Sequence, residues 1–194
     1  MRRRSGSRAR RRSRPAIDSL EVIARPHFEK ADLAWLTDIR SRRAGSRGSP
    51  YFTLVFPGAD LTPKAFAEAV RLRAHDFPRI RFRLRSALVV PEHAVSRFHV
   101  FLIPDEGFGA ILRLHDRLHA GALEAAIRPE TPYLPHITVA TTPDHAAARK
   151  LAQALNNGEL DISGHIETLE VEHRTGDVIR KVAEVPLHRT GWFG

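Results

Sequence analysis

The same order of elements is written twice along this chain, and that duplication limits the fold more than any single motif does. In the first half, IDSLEVIARP (17–26) reads as a strand ended by Pro26. EKADLAWLTDIRSRRAG (29–45) sets Leu33, Trp35, Leu36 and Ile39 at roughly helical spacing, with Gly45 as a stop. A strand follows at 51–56, then a helix over 62–77 that opens with Thr62 as N-cap and Pro63 at its first position, then an alternating strand over 79–90 with one wet face. The second half repeats the series: strand RFHVFLIP (97–104), helix DEGFGAILRLHDRLHAG (105–121), strand LPHITVA (134–140) and a Thr-Pro-headed helix (142–158). Strands within 160–174 and 177–189 close it. Two copies of one series predict an α+β fold with two lobes related by a pseudo-twofold axis, over about 17–90 and 97–188. Each lobe is expected to be an antiparallel-rich sheet with outer helices, so that residues 16–190 form a single bilobal domain around a central cleft.

Composition narrows the function classes. The 194 residues contain no cysteine, which excludes disulfides, thiolate metal sites and cysteine nucleophiles together. No run is long and apolar enough for a membrane span and no signal-peptide pattern is present, so the expected location is cytoplasmic. The formal charge of +9 is concentrated at one end: residues 1–14 hold eight arginines and no acid, and taking eight from nine leaves +1 for the rest. Residues 1–15 are therefore expected to be a disordered Arg-rich tail, able to touch nucleic-acid backbones without sequence preference, ahead of a nearly neutral folded part.

The chemistry is expected on the two matching strands, 51–56 and 134–140. Side chains alternate along a strand, so His136 and Thr138 share a face opposite Ile137 and Val139. Tyr51, Thr53 and Val55 likewise share a face opposite Phe52, Leu54 and Phe56. A single such pair is explained by ordinary half-buried polar residues bonded to backbone. A ring and a hydroxyl at the matching place in both halves, each preceded by proline, is harder to explain as packing.

At these residues the chain resembles the two-histidine (2H) phosphoesterases, in the branch of the 2'-5' RNA ligases and RNA 2',3'-cyclic phosphodiesterases. YLPHITVA (133–140) is similar to the second HxT motif of that family, and SPYFTLVFP (49–57) to the first, with Tyr51 in the histidine position. The resemblance implies that His136 is one acid/base and that Thr53 and Thr138 hold phosphate oxygens. It implies partners that are RNA ends or nucleotides carrying a 2',3'-cyclic phosphate or a 2'-5' linkage, with no cofactor and no metal. Tyr51 is the departure: a phenol with an ordinary pKa near 10 is a poor base at neutral pH but can donate a proton. A weakened enzyme, an enzyme with a different second group, and a protein that binds such ends without turnover all remain open.

Accessory candidates are His99, which the repeat aligns with Glu21, and Tyr133, read mainly as packing. Arg81, Arg83 and Arg85, alternating on one strand face, are candidates to neutralise phosphate, against a solvated sheet face. A metal-dependent hydrolase is the minor alternative. It rests on HDRLH, where His115 and His119 stand at i and i+4; the sequence reading places both toward solvent, flanking a stripe of Ile111, Leu114 and Leu118.

Overall fold

A computed structural model describes residues 18–44, 48–58, 60–127 and 132–193. The Arg-rich segment 1–15 therefore lies outside the described residues, as does Gly45. The first half runs β1 (Asp18–Ala24), β2 (His27–Phe28), α1 (Lys30–Arg43), β3 (Phe52–Gly58), α2 (Pro63–Ala74) and β4 (Pro78–Glu92). The second runs β5 (Arg97–Glu106), α3 (Phe108–Leu118), β6 (Ile137–Thr142), α4 (His145–Asn157), β7 (Ile162–Ile166), β8 (Thr168–Thr175), β9 (Val178–Pro186) and β10 (His188–Phe193).

Two sheets form, mixed with helices as expected. One has the order β3-β1-β8-β9 and the other β2-β7-β4-β5-β6, with β10 added beside β4. All pairings are antiparallel except that of β10. The sequence halves interleave: β8, from the second half, pairs with β1 from Asp18↔Thr175 to Ala24↔Leu169, while β4, from the first half, sits between β7 and β5. One core joins both sheets. Phe52 of β3 meets Phe82 of β4 edge to face, with centroids 5.1 Å apart, and Phe66, Leu102, Ile111, Leu114 and Leu118 are sealed around them. Among the described residues no helix is long and apolar enough to cross a membrane.

Local chemistry explains where the helices begin. Thr62 caps α2 by accepting from the Ala65 N–H at 3.3 Å, with Pro63 at the first position. In α4 the cap is Asp144, not the expected Thr142. Its carboxylate accepts from Ala146 and Ala147 N–H, while Thr142 Oγ1 accepts from the Asp144 N–H and so holds the cap itself.

The expected helix 105–121 also starts later, because Asp105 and Glu106 stay in β5 and Gly107 turns the chain with φ +80°. A Cβ at Gly107 would stand 2.3 Å from the Arg81 carbonyl oxygen and 2.8 Å from Phe82 Cβ. Left-handed backbone alone costs a residue with a side chain about 1–2 kcal/mol, and contact with backbone adds to it. Gly107→Ala is accordingly expected to destabilise the fold by about 2 kcal/mol or more, read as a lower urea midpoint.

Candidate active site

The two motif segments meet through the residues just ahead of β6. Tyr133 donates its hydroxyl to the Thr53 carbonyl at 3.0 Å, and the His115 Nδ1–H bonds the neighbouring Leu54 carbonyl at 2.7 Å. Tyr133 and His115 stack face to face, 3.6 Å between centroids and 1° apart in plane. Adjacent carbonyls of β3 are thus held by a tyrosine–histidine stack contributed by the second half of the chain. Burial pushes the Tyr133 phenol well above its ordinary range, so it is a fixed hydroxyl donor.

A cavity of about 360 Å³ opens beside this stack, lined among others by Phe56, His99, Phe101, His115, His119 and His136. His136 donates Nδ1–H to the Leu134 carbonyl at 2.7 Å, and its ring stacks on Phe101 at 3.6 Å. That bond selects the tautomer whose Nε2 carries a lone pair. Burial, more than the nearby His99, lowers the pKa of His136 against the opposing pull of the Leu134 bond. The neutral form is therefore the resting one at pH 7. His115 has the same character: burial lowers its pKa, the Leu54 bond opposes this, and His119 adds to the lowering.

These shifts make a signed prediction. An imidazole with a depressed folded pKa contributes stability that is complete above the unfolded value of about 6.5 and is lost as pH falls through the folded value. Wild type should therefore lose more stability between pH 7 and 5 than His136→Asn does, measured as the difference between their melting temperatures at each pH.

His99 lies on the cavity wall with both ring nitrogens engaged, Nδ1 with Thr141 Oγ1 at 3.0 Å and Nε2 with Glu92 Oε2 at 2.8 Å. It stacks on Phe101, 5.6 Å between centroids. Tyr51, Thr53 and Thr138 are not among the residues lining the cavity. Tyr51 stands instead against cations, its ring centroid 5.5 Å from the Arg25 guanidinium and 5.2 Å from that of Arg40. Arg25 is fixed by Glu170 at 3.0 Å and Glu172 at 2.7 Å.

Two expectations from the sequence do not hold. Strict alternation along 51–56 fails: Val22 pairs with Val55 and Ile23 with Thr53, so Leu54 is an extra residue in the ladder. Val55 is buried while Phe56 turns to the cavity. His115 and His119 do not flank the helix toward solvent. His119 is 2 % exposed and His115 half-buried, because α3 packs against both β3 and β5. Arg83 and Arg85 agree with the solvated-face reading over the phosphate one, since Asp105, Glu106 and Asp161 surround them at 2.9 to 3.7 Å.

The metal reading moves as well. Although the His115 and His119 rings are 4.2 Å apart, among the described residues no third His, Asp or Glu joins them at ligand distance. A different group does gather one ligand atom each from His27, His165 and Glu167 within 4.8 Å. There Glu167 is held by Arg79 at 2.7 Å.

Two interleaved sheets, antiparallel but for β10, thus carry a proline-preceded histidine onto the wall of a cavity. The sequence profile of the 2'-5' RNA ligase superfamily matches residues 28–178, and the chain belongs to that family. Solved structures of the same fold include E. coli LigT in apo form, at 13 % identity and TM-score 0.56, with 89 % of this chain and 98 % of that one covered. LigT complexed with 3'-AMP matches equally, at 13 % identity and TM-score 0.56 over 89 % and 99 % of the two chains. Kluyveromyces marxianus Usb1 matches at 12 % identity and TM-score 0.50 over 87 % and 98 %. No curated protein sequence matches this chain.

Proposed function

We propose that this protein is a phosphoesterase of RNA or nucleotide ends that opens 2',3'-cyclic phosphates or cleaves and joins 2'-5' linkages. The observation that carries the reading is His136, whose Nδ1–H is tied to Leu134 while its ring lines a cavity large enough for a nucleotide. Membership of the 2'-5' RNA ligase superfamily and the binding of 3'-AMP by the similarly folded LigT support the same substrate class.

In ring opening, water attacks phosphorus as a base takes its proton. The bond from phosphorus to one ribose oxygen breaks, and an acid protonates that oxygen to give a phosphate monoester. His136 is one partner of this exchange; Thr53 and Thr138 hold the family positions for the phosphate-binding hydroxyls and Tyr51 that for the other partner, and to act they would have to reach the phosphate from outside the residues that line the cavity.

The test is incubation of the intact protein with a nucleoside 2',3'-cyclic phosphate and with a 2'-5'-linked dinucleotide, each with EDTA present. Conversion of either supports the reading. The departure at Tyr51 favours a second one, binding without turnover: wild type inert on both, with activity gained in Tyr51→His, would establish that instead.

A further inference from the structure

We infer that His115, a residue outside both motif strands, is the second imidazole of this site and supplies the proton exchange that the family assigns to the position now held by Tyr51. This rests on the proposed phosphoesterase reading and adds a residue to it.

Two properties are required of such a group: a ring nitrogen free to exchange a proton, and a place on the cavity wall that holds His136. Tyr51 fails the second, because it packs against Arg25 and Arg40 and is not among the lining residues. His99 meets the second but not the first, with Thr141 and Glu92 on its two nitrogens. His115 meets both. Its Nδ1–H is given to Leu54, which leaves the lone pair on Nε2, and that nitrogen has no hydrogen-bond partner among the described residues. The ring is held on one face by Tyr133, whose own hydroxyl is spent on Thr53.

The arrangement matches that of His136 point for point: Nδ1–H on a backbone carbonyl 2.7 Å away, an aromatic ring stacked at 3.6 Å, and a lowered pKa. The Leu54 carbonyl belongs to β3, so α3 delivers an imidazole to the strand that carries Tyr51 just ahead of it. His119 also lines the cavity and likewise gives Nδ1–H to a backbone carbonyl, but it is almost wholly buried where His115 is only half-buried.

In the step this implies, Nε2 of neutral His136 takes the proton of the attacking water as the new P–O bond forms. Nε2–H of protonated His115 gives its proton to the ribose oxygen whose bond to phosphorus breaks. The pair ends with its protonation reversed and resets by exchange with solvent. The negative charge of the bound phosphate favours the one proton the pair must hold.

The test is His115→Asn, which keeps a donor for the Leu54 carbonyl while removing Nε2. Steady-state rates on a nucleoside 2',3'-cyclic phosphate are expected to fall about 10²–10⁴-fold in kcat with KM changed by less than about threefold, and one limb of the pH–rate profile should disappear. Wild-type activity that His136→Asn abolishes but His115→Asn leaves within about threefold would overturn the inference while the phosphoesterase reading stands.

A second measurement needs neither turnover nor a variant that folds. Titration of wild type with adenosine 3'-monophosphate, followed by imidazole Cε1–H resonances, is expected to raise the pKa of both His115 and His136. A rise confined to His136 would overturn the inference whatever the rates.

Discussion

His136→Ala is expected to lower kcat/KM on a 2',3'-cyclic phosphate by about 10²–10⁴-fold, the usual cost of removing a positioned acid or base. The size of the effect follows from how much of the surroundings is committed to this one ring. The Leu134 carbonyl fixes the tautomer, Phe101 fixes the ring plane, and burial keeps the ring neutral, so that Nε2 is a lone pair aimed by the fold. Alanine removes the lone pair and leaves the strand, because the backbone ladder between β5 and β6 does not use the side chain. A thermal melt run beside the kinetics separates the two effects. A rate loss with a melting temperature within a few degrees of wild type is the outcome expected, and a rate within about threefold of wild type would remove His136 from the chemistry.

Phe52→Ala carries the largest expected cost in stability, about 3–5 kcal/mol. Its ring is 0 % exposed and stands edge-on to Phe82 at 86°, so that it is the point where one sheet rests on the other. Truncation leaves a cavity between rigid strands that cannot close over it. The measurement is urea unfolding: the midpoint should fall by the corresponding amount with the slope unchanged. Because Phe52 lies between Tyr51 and Thr53, catalysis should suffer too where the variant remains folded. A loss under about 1 kcal/mol would mean that the sheets are not joined through this ring.

Much of this was legible in the chain. The duplicated series and the helix start marked by Thr62 and Pro63 describe local choices, and these are what residue patterns encode. Which strands pair is a different matter. β8 lies beside β1, with Arg174 opposite Ser19, because of long-range closure that no periodicity records. The break in alternation at 51–56 has a related cause: the extra residue Leu54 is a property of the pairing with β1, invisible in either strand alone.

His115 and His119 could have been found. Ile111, Leu114, His115, Leu118 and His119 fall at i, i+3, i+4, i+7 and i+8, so both histidines ride on the apolar stripe itself, where burial is the ordinary expectation. Reading them as flanking residues hid the second half of the histidine-lined wall. Tyr51 ends differently placed from where the duplication alone would put it. The Tyr133–Thr53 bond brings the two motif segments together, but the phenol of Tyr51 faces Arg25 and Arg40.

Whether the cavity at His136 receives the phosphate end of a nucleotide is decided by a crystal structure of the protein with adenosine 3'-monophosphate. The phosphate is expected within hydrogen-bond distance of His136 Nε2, with the nucleoside lying along the wall formed by Phe56 and Phe101. A nucleotide bound elsewhere, for example in the groove lined by His27, Arg81 and His165, with the His136 cavity left empty, would contradict the account.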